Sequence, residues 1–177
     1  MARLPYADPA RPEAQATVAR IVAQRGSLLH LYQMLLHSPP VAEGWLGFLT
    51  AIRQQCRLPG ALRELVIMRV AALNNAPYEA DQHAPIALRE GVSPEQLDAL
   101  ADWGAAGCYT AQQRAVLALT DHMTRDVQVP AAVMADVRAH FDDRETVELV
   151  ATVAAYNMVS RFLEALEIHT QDQRDVP

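Results

Sequence analysis

The chain is poor in cysteine, and this scarcity excludes disulfide-rich folds. Its two cysteines, Cys56 and Cys108, lie far apart along the sequence and form neither a CxxC motif nor a spacing typical of structural zinc. The start of the chain has no apolar run long enough for a signal peptide. We therefore expect both cysteines to be reduced thiols in a cytoplasmic protein.

Long hydrophobic runs and clusters of basic residues are also missing. No segment approaches the roughly 18 consecutive apolar residues that argue for a membrane span. The formal net charge is −6, and the 15 basic residues, all of them arginines, are scattered along the chain. Because the sequence has no basic cluster that could bind a phosphate backbone, we do not expect a nucleic acid as a partner. We do not expect a membrane either.

Glycine is scarce, with 7 residues in 177, and runs of β-branched residues are few. Apolar residues instead recur with a period close to about 3.6, which predicts an all-α, multi-helix bundle. Ser38 is predicted to cap one helix, and Ser93 and Thr110 to open capping boxes. Proline, glycine and capping residues delimit predicted helices at about 13–24, 28–37, 41–55, 61–74, 78–90, 94–103, 111–125, 131–140 and 143–168.

The length is that of about one domain. Residues 1–12 hold three prolines and predict an extended N-terminal arm. Residues 13–168 predict a single helical domain, and the polar tail 169–177 is expected to fray. The last predicted helix is apolar on more than one face, which indicates burial from several sides, in part against a second subunit.

Three residues in the middle of the chain suit acid–base chemistry. Glu64 lies in the first turn of the predicted helix 61–74, and Glu79 and His83 are four residues apart on one face of the next helix. A carboxylate that contacts an imidazole sets the ring's tautomer and its pKa for proton transfer. The same pattern fits an ordinary Glu–His pair on a solvated helix face, with Glu64 as a favourable charge near a helix start. The residue pattern alone favours this structural interpretation.

The segment that carries these residues resembles the carboxymuconolactone decarboxylase / alkylhydroperoxidase D family. That family's signature is Glu, eleven residues, Cys, two residues, Cys, three residues and His. Glu64, Ala76, Glu79 and His83 match this spacing at every step. The resemblance covers roughly residues 28–168. It implies an all-α homo-oligomer, commonly a trimer or hexamer with a dimer possible, and sites near subunit contacts.

Both cysteine positions of the signature are changed, to Ala76 and Glu79. In thiol-peroxidase members one cysteine attacks the peroxide and the other resolves the sulfenic acid, which neither alanine nor glutamate can do. Cys56 or Cys108 would restore this chemistry only if the fold brought it to the site. Alkylhydroperoxidase activity is therefore the disfavoured alternative, and a non-catalytic small-molecule-binding oligomer is a further one.

Decarboxylase-type members often carry glutamate at the second cysteine position, as this chain does at Glu79. Their reaction uses no cofactor and needs a proton shuttle. The resemblance thus implies a cofactor-free, lyase- or isomerase-type enzyme that transfers protons on a small carboxylated or lactone-like molecule. His83 would be the acid/base, with Glu64 and Glu79 as its partners. These three groups could also hold a metal, but such a set split over two helices often arises by chance, and we expect none.

The residue types suggest further contacts with the substrate. Arg69 or Arg161 would bind the substrate carboxylate through a bidentate guanidinium. Tyr78 or Tyr156 would donate a hydrogen bond to a developing enolate. Arg69 also fits a helix-face arginine that is paired with a neighbouring residue.

Overall fold

The computed structural model describes residues 1–174, and its architecture is all-α, as predicted. Within that range the chain forms nine α-helices and no β-strand. A π-helical turn, Ala51–Gln55, follows the third helix, and a 3₁₀ turn, Leu100–Asp102, follows the sixth. The α-helices are α1 (Pro12–Arg25), α2 (His30–Leu35), α3 (Pro39–Thr50), α4 (Gly60–Leu73), α5 (Pro77–Arg89), α6 (Pro94–Ala99), α7 (Ala111–Arg125), α8 (Ala131–Arg138) and α9 (Asp143–Leu166).

Local capping explains why the helix starts could be predicted from sequence. Ser93 accepts from the backbone N–H of Gln96, whose side chain reaches back to the Ser93 N–H, and this capping box starts α6. Thr110 and Gln113 form the same reciprocal pair at α7. Each box satisfies backbone donors that the first helical turn leaves without intrahelical partners.

Three local predictions in the first third of the chain were wrong in detail. Ser38 precedes α3, but its side chain makes no capping hydrogen bond; its carbonyl accepts from Val41 and Ala42 instead. The helix predicted over 41–55 is α3, which ends at Thr50, followed by the π-helical turn. The helix predicted over 28–37 is the shorter α2. Helical periodicity cannot distinguish an α-helix from a π-helical turn, or fix where a helix ends, because each of these places apolar residues on one side.

Contacts divide the chain into two compact units. Among the described residues the first comprises 1–55 and 163–174, and α3 packs there against α1 and α2. The second comprises residues 56–162, and in it α4 packs against α5 and α7. Helix α4 buries residues on most of its circumference, as expected for a helix enclosed by neighbours. Its buried residues are Leu62, Glu64, Leu65, Val66, Ile67, Arg69, Val70 and Ala71.

The tail was expected to fray, and its residues Asp172 and Arg174 make hydrogen bonds to the first third of the chain. The Tyr6 hydroxyl donates to the Asp172 carboxylate at 2.7 Å. The Arg174 guanidinium donates to the Leu28 carbonyl at 2.6 Å and to the Gln33 side-chain oxygen at 2.8 Å. Polar residues at a chain end thus order when the fold offers them partners. Residues 175–177 of the predicted tail lie outside the described part of the chain.

Helix α9 is long and apolar enough to cross a membrane by length and composition alone. Half of its most apolar 18-residue stretch is buried inside the protein, which is the pattern of a core helix. Val147 and Met158 on this helix are 67% and 37% exposed in the single chain. The expected subunit contact along α9 stays a prediction.

Glu148 on α9 ties down the loop that leads into α4. One of its carboxylate oxygens accepts the backbone N–H groups of Arg57 and Leu58, at 2.6 and 3.1 Å. Its other oxygen accepts from Arg144 at 2.8 Å. Burial raises the pKa of Glu148, but these hydrogen bonds outweigh it and lower the pKa overall. The carboxylate therefore caps backbone groups that lie far from it in sequence.

Replacing Glu148 by alanine should destabilise the protein by about 1–3 kcal/mol, because two loop N–H groups lose their acceptor. The measurement is the free energy of unfolding from a urea titration. Arg144→Ala is the matched control, since it removes only the exposed, one-turn ion pair with Glu148 and should cost much less than the loss of the two loop hydrogen bonds. Equal losses in the two variants would contradict the capping role.

Candidate active site

Three helices of the second unit supply the candidate site. Helix α4 carries Glu64, helix α5 carries Glu79 and His83, and helix α9 carries Tyr156 and Ser160. Pro77 begins α5 at a position where its missing N–H costs nothing. The four-residue spacings on α5 and α9 each place two side chains on one helix face.

Glu64 and His83 form a buried pair. The His83 Nδ1 lies 2.7 Å from the Glu64 Oε2, and the Glu64 side chain has no exposed surface. The Arg63 guanidinium contacts the other Glu64 oxygen, Oε1, at 3.0 Å. Burial raises the pKa of Glu64, but the hydrogen bond and charge of His83, together with those of Arg63, outweigh it and lower the pKa below its ordinary 4.5. Glu64 is therefore a carboxylate that orients the ring.

The pair sets the tautomer of His83. An ionised carboxylate can only accept, so Nδ1 carries a hydrogen and Nε2 is the atom at which the ring can exchange a proton with a bound molecule. His83 is 7% exposed, and its ring meets the Tyr156 ring edge-on, with centroids 5.2 Å apart and planes at 89°. A nearly enclosed ring with one fixed nitrogen is an arrangement suited to acid–base chemistry.

Glu79 is 2% exposed, and its Oε2 contacts the Ser160 hydroxyl. Ser160 is fully buried, and its hydroxyl also lies 3.0 Å from the Tyr156 carbonyl, one turn earlier on α9. The sequence prediction missed Ser160. A serine on an apolar helix face usually bonds to its own backbone, so no local signal marked this one.

Ala76, the residue at the first cysteine position of the signature, borders a cavity of about 310 Å³. Its walls are mainly apolar, with Asn75 and Asp98 as the polar contributors. His83, Glu64 and Glu79 are not among the residues that line this cavity. The lining residues are Met68, Ala71, Ala72, Asn75, Ala76, Pro77, Ala80, Leu97, Asp98, Leu100 and Ala101.

Arg69 is held by protein groups. Its Nε and Nη2 bind the two Asp121 oxygens at 2.6 and 2.7 Å, and its Nη1 donates to the Leu100 carbonyl at 2.6 Å. Arg69 itself is 4% exposed. These contacts favour the interpretation of Arg69 as paired with a neighbour, because the bidentate edge suited to a substrate carboxylate already binds one. A role in substrate binding stays a prediction.

The other residues predicted to contact the substrate are one exposed arginine and two buried tyrosines. Arg161 is exposed on α9 and donates from Nη1 to the Asn157 side-chain oxygen at 2.6 Å. Tyr78 and Tyr156 are buried, at 3% and 1% exposure. The Tyr156 ring contacts the His83 ring. Their predicted roles remain untested.

Neither cysteine has the surroundings of a reactive thiol. Burial and the nearby Glu148 charge raise the pKa of Cys56, whereas an attacking thiol needs a lowered pKa. Cys108 packs against the apolar cluster that includes Leu65 and Leu117. Across residues 1–174, no group of three His, Cys, Asp or Glu side chains is arranged to hold a metal ion.

The helical architecture and the spacing of the site residues define a family. The chain belongs to the carboxymuconolactone decarboxylase family, which matches it over residues 39–122. The family includes enzymes, and this chain shares its fold.

Relatives of this chain are found in several bacteria. The uncharacterized protein YnjA of Escherichia coli (strain K12) is 30% identical over 138 residues, 76% of this chain and 71% of that protein. The uncharacterized protein YdfG of Bacillus subtilis (strain 168) is 27% identical over 115 residues, 64% and 78% of the two chains. The structure of a peroxidase-related protein from Ralstonia eutropha JMP134, described as an alkylhydroperoxidase AhpD core, matches with a TM-score of 0.81. It is 20% identical and covers 97% of this chain and 93% of its own. At that identity the likeness shows the fold alone.

Arg69→Leu should destabilise the protein by about 3 kcal/mol, because Asp121 would lose its bidentate partner in a largely buried position. Urea unfolding measures this loss. Arg125→Leu is the matched control, since Arg125 is exposed and contacts the same Asp121 at 3.3 Å across one helical turn; its cost should stay below about 1 kcal/mol. Equal losses of unfolding free energy in the two variants would show that the Arg69–Asp121 pair does not stabilise the fold.

Glu64 should also give the stability a defined pH dependence. Because its folded pKa lies below 4.5, its contribution is complete above that pH and is lost as the pH falls through the folded value. Glu64→Gln should therefore be less stable than the parent at pH 7, and the difference should shrink below pH 4.5. Unfolding midpoints across this range provide the measurement. Glu167→Gln, which removes an exposed pair with Arg3, should show no comparable trend; a Glu64→Gln difference independent of pH would contradict the assignment.

Proposed function

We propose that this protein is a cofactor-free enzyme that transfers a proton on a small carboxylated or lactone-like substrate, in a decarboxylase-type reaction. The observation that supports it is the buried His83–Glu64 pair at 2.7 Å. A fixed imidazole beside a charged carboxylate can store and deliver one proton near neutral pH. The family's name supplies the substrate class to test first, a carboxymuconolactone.

The proposed step balances without a co-reactant. The bond between the substrate carbon and its carboxylate breaks, carbon dioxide leaves, and the electron pair moves into the adjacent unsaturated carbonyl system as a dienolate. The His83 imidazolium then gives its Nε2 proton to carbon. Glu64 holds Nδ1 throughout and stabilises the charged ring, and solvent returns the proton after release.

The two alternatives have weaker support in this chain. Thiol peroxidase chemistry needs an activated cysteine, but Ala76 and Glu79 stand at the signature positions and burial raises the pKa of Cys56. A non-catalytic binder would not need a charged carboxylate to hold a ring nitrogen, and a buried ion pair is weak support for stability alone.

The test is carbon dioxide release and solvent deuterium incorporation when the protein is incubated with 4-carboxymuconolactone in D₂O. His83→Gln should lower the rate at least about 100-fold, because the general acid is lost. Glu64→Gln should lower it less, since the ring remains but loses its orienting charge. Rates come from proton NMR of the product.

His122→Gln is the matched control. His122 also contacts a carboxylate through Nδ1, at 2.8 Å from Asp126, but this pair lies on the surface; the rate should stay at the parent value. Unchanged turnover in His83→Gln would overturn the proposal. So would peroxide consumption driven by a dithiol that disappears in Cys56→Ser or Cys108→Ser.

A further inference from the structure

The Ser160 hydroxyl contacts two acceptors but carries a single hydrogen. It touches the Glu79 Oε2 and lies 3.0 Å from the Tyr156 carbonyl. A carbonyl oxygen can only accept, so a hydrogen bond with Tyr156 takes the single hydrogen of Ser160. The contact with Glu79 is then a hydrogen bond only if the carboxyl group supplies the hydrogen. We infer that Ser160 holds Glu79 as a protonated, uncharged carboxylic acid at neutral pH.

The direction of the Ser160 bond follows from its helix. Two other buried hydroxyls bond one turn back to a backbone carbonyl, Thr120 to Val116 at 2.8 Å and Thr152 to Glu148 at 2.7 Å. Ser160 has the same relation to Tyr156. This common geometry uses the hydroxyl hydrogen and leaves the oxygen lone pairs to accept from another group.

Burial and charge favour the same state. Glu79 is 2% exposed, and an ionised carboxyl group is costly away from water. His83, one turn along α5, already binds the Glu64 carboxylate. A second anion beside this pair would repel the first, and such neighbours tend to keep one of two carboxyl groups protonated. The site therefore holds one charged carboxylate and one neutral acid.

This arrangement gives the two glutamates different roles. The protonation state rests on geometry, whereas its catalytic consequence rests on the proposed function. Glu64 orients His83, while Glu79 stores a second proton within the same site. Because Glu79 is uncharged while it donates a hydrogen bond to Ser160, a developing enolate would not meet the repulsion of a second carboxylate. Ser160 acts as a positioning residue through Glu79.

Infrared difference spectroscopy at pH 7 tests the inference without a substrate. The parent protein should show the carbonyl stretch of a protonated carboxylic acid, which shifts in D₂O and on ¹³C-labelling of the glutamate side chains. Glu79→Gln should lose this band. Ser160→Ala should move it, because the acid loses its acceptor, and Ser160→Thr should restore its position.

Thr152→Val is the matched control, since it removes a buried hydroxyl that bonds one turn back on the same helix; the band should stay in place. Absence of the glutamate acid band from the labelled parent protein would overturn the inference even if every variant failed to fold. A band unmoved in Ser160→Ala would also overturn it. If the band behaves as expected but the protein never turns over a carboxylated lactone, the proposed function fails and the inference stands.

Discussion

A buried negative charge organises the second unit of this protein. The Glu64 carboxylate has no exposed surface, and such a charge persists only with close, hydrogen-bonded partners. Arg63 supplies one partner from the neighbouring position, and His83 supplies the other from α5. The same contact that satisfies the charge also fixes the ring tautomer. The proposed proton transfer therefore uses a ring whose orientation is set by a requirement of stability.

The family fold is retained here with different residues at the two cysteine positions of its signature. Where the signature has two thiols, this chain has a methyl group bordering a cavity and a carboxyl group touching a buried serine. Oxygen and nitrogen acids exchange protons, whereas the peroxidase reaction needs sulfur that can be oxidised and resolved. The chain with Ala76 and Glu79 thus keeps the family's architecture without the thiols of the peroxidase reaction, since a fold alone does not determine function.

Much of the fold could be predicted because its signals are local. Capping residues such as Ser93 and Thr110 act on backbone groups within one turn, so a short stretch of sequence contains the cause and its effect. The four-residue spacing of Glu79 and His83 indicated a carboxylate–imidazole contact, but the residue pattern alone favoured an ordinary pair on a solvated helix face. Chain order did not reveal which carboxylate binds the ring: Glu79 is closer in sequence, but Glu64, 19 residues away, makes the 2.7 Å contact.

By itself the sequence determined the helical class, most helix starts, the family and the absence of the signature thiols. Only the tertiary structure decided the partners of buried polar groups. Asp121 lies 52 residues from Arg69, and Ser160 lies 81 residues from Glu79. A helical period shows which side of a helix is buried, but not what the neighbouring helix presents there. Buried polar groups must find such partners, so packing between distant segments gives each charge and hydroxyl its role.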